Sequence, residues 1–159
     1  MEPTAILSAV AASSKLAKTA WDLGEALYTF TKDAKIINKT LSALIAQVRA
    51  VREPCELLAL FLDGVKDDLE TYPHWAATRH GMQLSDTTKV VQRQLEACNH
   101  TLDALSKSTE GIRGSDKNAA KKAWATFKFN LQKDTMKECR SQMAMHLAAL
   151  NTTLHIMNW

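Results

Sequence analysis

From Thr4 to about Phe30 the apolar positions Ile6, Leu7, Val10, Leu16, Trp21, Leu23, Leu27 and Phe30 recur without strict alternation, which predicts a long amphipathic helix rather than a strand. Pro3 suits a first helical turn, with Thr4 beside it as a cap. Small residues return every fourth position at Ala5, Ala9, Ser13 and Ala17, and Ala20 with Gly24 forms a second pair, so this ridge lets another backbone come close. A polar break at Thr31-Lys-Asp-Ala follows, where Asp33 can cap a second helix with apolar residues Ile36, Ile37, Leu41, Leu44, Ile45, Val48 and Val51. Pro54 interrupts that pattern. Lacking a backbone donor and clashing with the preceding turn, it predicts a kink or a restart. Leu57, Leu58, Leu60, Phe61 and Leu62 continue the apolar run, and Asp63-Gly64 reads as a stop, with helix resuming briefly through Leu69.

Pro73, Trp75 and Gly81 mark residues 72–83 as a connecting loop or short extra turn, with Trp75 plugging the end of the bundle. Ser85 and Asp86 then open a third helix in which Leu84, Thr88, Val91, Leu95, Cys98, Leu102 and Leu105 keep a regular seam spacing. The Ser, Thr, Gly and charged residues of 106–118 read as a mobile loop, and Ser115 or Asp116 caps the last helix, which runs from about Ala119 to the end. That helix carries Trp124, Phe127, Leu131, Met136, Cys139, Met143, Leu147, Leu150, Leu154 and Met157 at helical spacing. It is still in phase at Trp159, so the expectation is one domain of a longer protein.

Composition agrees with an all-α chain: 46% of residues are hydrophobic but only 6% aromatic, and 5 Gly and 3 Pro leave few strand or turn punctuators. The 159 residues suffice for one core, so residues 1–159 read as a single four-to-five-helix bundle. The net charge of +3 is uneven: residues 111–140 carry eight Lys or Arg against three acids, and residues 54–70 carry five acids against one lysine. A basic pole could meet anionic lipid, nucleic acid or an acidic partner, while its bland reading is a solvated helix face; of the three, nucleic acid is not the expected partner. Cys55, Cys98 and Cys139 are odd in number and lack metal spacing, which predicts free thiols in a reducing compartment. The sequons at Asn38, Asn99 and Asn151 fall in helical patterns and read as chance. The N-terminus does not read as a signal peptide, and no stretch approaches the roughly 18 uninterrupted apolar residues of a membrane span.

Chemistry is sparse. His74, His80, His100, His146 and His155 form no metal-ligand spacing, and no glycine-rich phosphate loop is present. Asp67, Asp68 and Glu70 cluster without a paired base, and no Ser, Thr or Cys has a placed activating base. Met136, Met143, Met145 and Met157 could line a plastic groove, although core filling is the commoner use. The reading is a non-enzyme without metal or cofactor.

The opening Met1-Glu-Pro-Thr-Ala-Ile-Leu-Ser-Ala-Val-Ala-Ala is similar to the start of the fungal HeLo-like N-terminal domain, a proline-containing lead into a small, alanine-rich amphipathic helix. Leu23 to Phe30, the Lys32-Asp33-Ala34 turn and the helix from Ile37 to Phe61 resemble that family's second segment. Lys121-Lys-Ala-Trp-Ala-Thr-Phe-Lys with Leu131 to Leu154 resembles its closing Trp-containing helix, down to the Asn151-Thr-Thr-Leu stretch. The resemblance implies a helical bundle that is the N-terminal domain of fungal nucleotide-binding immune-type receptors or ankyrin-repeat proteins. In related HeLo domains such a bundle executes regulated cell death in heterokaryon incompatibility, oligomerisation freeing the N-terminal helix to attack the plasma membrane. One departure stands out: residues 1–25 hold no glycine zipper, only alanines and Ser13, with Gly24 late.

Two readings of different class follow. In the first, the chain is a cell-death effector that is cytoplasmic at rest and moves to the plasma membrane; a receptor domain in cis triggers homo-oligomerisation, and anionic lipids are its target. Its membrane and oligomerisation helix would use Ala5, Ile6, Ala9, Val10, Ser13, Ala17, Trp21 and Gly24, and its basic face Lys121, Lys122, Lys128, Lys133 and Lys137. In the second, the chain is a homotypic signalling or oligomerisation adaptor that never touches lipid, and the small-residue ridge is core.

Overall fold

The computed structural model describes residues 3–33, 39–110, 122, 125–126 and 134–157, and these form an all-α bundle. Its helices are α1 (Pro3–Asp33), α2 (Lys39–Ala50), α3 (Arg52–Thr71), α4 (Arg79–Thr109) and α5 (Asp134–Met157), with a 3-10 turn at Pro73–Ala77. Helices α2 and α3 are separated by Val51 alone, which itself keeps helical dihedrals, so together they make one kinked rod. Pro54 supplies the reason: it has no N–H to offer the Ala50 carbonyl, where α2 ends. The ladder recovers at once, because the Cys55 N–H donates to Val51 O at 3.3 Å.

Four boundaries differ from the sequence reading. Asp33 is the last residue of α1 rather than a cap of α2, and residues 34–38 lie outside those described. Helix α3 runs through Asp63-Gly64 without stopping, since Val65 and Leu69 beyond it are buried in the core and outweigh the ~1 kcal/mol that glycine costs a helix interior. Helix α4 begins at Arg79, six residues before Ser85. Its cap is Thr78, whose Oγ1 accepts from the Gly81 N–H at 3.1 Å, so Gly81 sits in a first turn and breaks nothing. The helix also persists to Thr109, and the rest of the expected 106–118 loop, like residues 119–121, 123–124 and 127–133 of the expected last helix, falls outside the described residues.

Helices α1 and α5 each pack against the kinked rod and against α4, and the core fills the space between. The α4 seam is buried as the spacing predicts: Val91, Leu95, Cys98, Leu102 and Leu105 are all 2% exposed or less. Trp75 of the 3-10 turn packs against the same core. Cys55, Cys98 and Cys139 are free and buried, and burial pushes the thiols of the first two up to about 12.

Candidate functional site: the first helix and the groove beside it

Helix α1 is 31 residues long, about 46 Å at 1.5 Å per residue, and packs most extensively against α3, then against α2 and α4. Ile6, Ala9, Ser13, Leu16, Ala17, Ala20, Leu23 and Leu27 are at most 3% exposed, a continuous stripe at helical spacing. Of the candidate assembly residues, Ile6, Ala9, Ser13, Ala17 and Gly24 therefore lie inside the bundle, Ala5 and Val10 at its margin, and Trp21 on the surface at 37% exposure. Ser13 is the polar member of the stripe, and its hydroxyl is satisfied within α1 by donating to Ala9 O at 2.8 Å. Near the start of α1, Gln92 of α4 donates from Nε2 to Ala5 O at 3.1 Å.

Towards its C-terminal half, α1 is held by Arg49 of α2. The Arg49 guanidinium pairs with Glu25 and lies over the rings of Tyr28 and Trp21, 4.5 and 5.5 Å from their centroids. Arg52, at the start of α3, stacks on Trp21 at 4.5 Å and pairs with Glu56 at 2.9 Å. An arginine on an otherwise apolar helix face was the one available signal for this clasp; its partners, 21 to 28 positions away, carry none.

Where α1 and α3 meet on the outer surface they leave a groove of about 620 Å³. Val10, Ser14, Ala17, Lys18 and Trp21 line it from α1, and Arg52, Glu56, Leu60 and Asp63 from α3. The two helices run antiparallel along it, because Glu25 meets Arg49 and Trp21 meets Arg52 one turn further on, a register that brings Val10 to the level of Asp63. One large apolar side chain of its lining is left in solvent, Leu60 at 71% exposure.

The candidate basic face is described only in part: Lys122 and Lys137 are exposed, and Lys121, Lys128 and Lys133 lie outside the described residues. The remaining polar cluster joins α4 to α5. Thr101 Oγ1 lies 3.0 Å from His146 Nε2, 3.3 Å from Gln142 Oε1 and 3.2 Å from Ala97 O. One hydroxyl proton serves one acceptor, so the tautomer of His146 with hydrogen on Nε2 lets the ring donate back to the hydroxyl. Burial lowers the His146 pKa, which keeps the ring neutral. Thr101 is 3% exposed, so this cluster ties two helices together without presenting its hydroxyl to a solute. Among the described residues no group of three or more His, Cys, Asp or Glu could hold a metal ion. Compared with known proteins, the chain matches no family model, no curated protein and no solved structure.

Proposed function

We propose that this chain is a HeLo-like effector bundle of regulated cell death, cytoplasmic at rest, that self-assembles under control of a receptor domain in cis and acts on the plasma membrane through α1. The observation that supports this most is how α1 is stored: a long amphipathic helix whose small-residue ridge is wrapped by three other helices. Storage has a cost that limits how α1 can act. Ile6, Leu16, Leu23 and Leu27 are each at most 2% exposed, and at ~1.5–3 kcal/mol per buried large side chain they account for ~6–12 kcal/mol. That is the scale of a whole domain's stability, so α1 leaves the bundle only where sister helices or lipid replace those contacts. Among the described residues no helix is long and apolar enough to cross a membrane alone, so the released helix would lie in the interface or line a pore with Lys15, Lys18, Asp22 and Glu25 towards water.

The second reading, a homotypic adaptor without membrane activity, is favoured by the same cost and by the exposed apolar groove, which needs no release of α1. A leakage assay separates the two. Removing residues 1–25 would strip Ile6, Leu16 and Leu23 from the core, so the intact chain is fused to a chemically inducible oligomeriser instead. Induction should empty vesicles containing phosphatidylserine but not vesicles of phosphatidylcholine alone, and Leu7→Glu, at a 46% exposed position on α1, should abolish leakage without moving the melting temperature. Induced oligomers that leave both kinds of vesicle sealed would remove the membrane reading and keep the adaptor.

A further inference from the structure

We propose that α1 is built as two segments that open separately: residues 3–14 lift off the closed bundle by themselves, while residues 16–30 stay clasped to it. The inference rests on the function proposed above in one respect, that α1 is the element that moves, and it names the part that does so. Burial divides the helix unevenly. Residues 4–14 bury one large side chain, Ile6, together with Ala9 and Ser13, whereas residues 16–27 bury Leu16, Leu23 and Leu27 together with Ala17 and Ala20. The arginine clasp falls on the second segment alone. Arg49 pairs with Glu25 and covers the Tyr28 and Trp21 rings, and Arg52 lays a second guanidinium over Trp21 at 4.5 Å. The first segment is tied to α4 by a neutral hydrogen bond, Gln92 Nε2 to Ala5 O at 3.1 Å. Between the two segments stands the pair Ser13-Ser14, and the Ser13 hydroxyl bonds back to Ala9 O, an arrangement that bends helices.

Charge marks the same boundary. Residues 3–14 carry no charged side chain, and residues 15–33 carry Lys15, Lys18, Asp22, Glu25, Lys32 and Asp33. The first segment can therefore enter an apolar phase without desolvating an ion, and its Leu7 already stands 46% exposed. Off the bundle, about 12 residues are too few for a stable helix in water, so lifting also opens their backbone hydrogen bonds. At a membrane the segment reaches about 18 Å as a helix, well short of a hydrocarbon core of roughly 30 Å, and so lies in the interface rather than crossing.

Amide hydrogen exchange resolved by residue, on the full chain without lipid, reads this opening. The first four amides of α1 have no helical acceptor, so the comparison is between Ser8–Ser13 and Ala20–Leu27. In the native chain Ser8–Ser13 should open as one unit, at least about a hundredfold more often than Ala20–Leu27. Contacts of the second segment persist when the first lifts. Arg49→Ala and Leu23→Ala should thus each raise opening at Ala20–Leu27 at least about tenfold and leave Ser8–Ser13 within about threefold, with circular dichroism verifying that each variant is folded. Equal protection of the two stretches, a smooth gradient with no step near Ser13, or variants that raise both stretches by the same factor would each overturn the proposal. The leakage assay is decided separately. A step at Ser13 in a chain that leaves vesicles sealed keeps the two-part helix and removes the membrane reading, whereas leakage by a chain whose α1 opens as one unit does the reverse.

Discussion

Gly24 of α1 lies so close to Arg49 of α2 that a β-carbon added at position 24 would stand 2.6 Å from Arg49 Cγ. The missing side chain is what lets the arginine cross α1 to Glu25 and the two aromatic rings. Gly64 of α3 is the opposite case, exposed and with nothing within 4 Å of the same hypothetical atom.

The two glycines should therefore answer the same substitution with opposite signs. Gly64→Ala should stabilise the fold by about 0.5–1 kcal/mol through helix propensity and loss of unfolded-state freedom. Gly24→Ala gains the same propensity but displaces Arg49, and with overpacking at ~1–3 kcal/mol the net is a loss of about 1 kcal/mol. In an Arg49→Ala background the obstacle is gone and Gly24→Ala should become stabilising, a coupling that a double-mutant cycle reads directly from urea unfolding. Equal stabilisation at both glycines in the native background would show that Arg49 moves aside freely.

Leu95→Ala and Leu102→Ala should each destabilise by ~2–5 kcal/mol, since both leucines are at most 2% exposed on the α4 seam and their truncation leaves cavities. Chemical denaturation measures it, and losses well under about 1 kcal/mol at both would mean that the seam collapses around the gap.

That seam was readable because a two-in-seven repeat needs only local spacing, and the kink at Pro54 because one missing N–H acts on its own turn. The errors have the opposite character. Asp63-Gly64 looks like a helix end until the burial of Val65 and Leu69 on the far side is known. Ser85 and Asp86 are good capping residue types, but Thr78 follows directly on the 3-10 turn and reaches the Gly81 N–H first. In the candidate site, the amphipathic character of α1 and its small-residue ridge could be read from sequence. The Arg49 clasp and the α1–α3 groove could not, since both depend on the antiparallel register of α1 with the α2–α3 rod.

The buried thiols predict an alkaline limit to stability. Burial raises Cys55 and Cys98 from 9.0 to about 12, so above pH 9 the unfolded chain releases protons that the folded chain retains. Stability from these groups is fully present below pH 9 and is lost as pH rises towards 12. Unfolding free energy measured from pH 8 to 11 should fall less steeply in Cys55→Ala/Cys98→Ala than in the native chain, once the offset from the two small cavities is subtracted. In parallel, a thiol reagent at pH 8 should label neither cysteine in the folded protein and both after denaturation. Prompt labelling of native Cys98, 0% exposed, would mean that α4 opens far more often than its packing allows.

The ridge of α1 gives the sharpest division between the two functional readings, because Ala9 and Ser13 are both 0% exposed in the resting bundle. Ala9→Leu adds three carbons where α1 meets its neighbours and should lower stability by ~1–3 kcal/mol whatever the chain does next. Ser13→Val is milder in volume. It removes a hydroxyl whose bond is to Ala9 O on its own helix, so no partner on another helix is left unpaired and the cost is that of the added bulk alone, about 1 kcal/mol. In a bundle that only docks through its surface, activity across substitutions at positions 5, 9, 13 and 17 should follow the melting temperature. If α1 is released and packs against sister copies, Ser13→Val should instead abolish toxicity on expression in yeast with a smaller fall in melting temperature than Ala9→Leu, since the β-branched bulk then falls between two backbones that approach closely. The paired measurement is a melting curve and a growth assay on each variant, and activity that tracks stability throughout the series would leave α1 as the core of an adaptor.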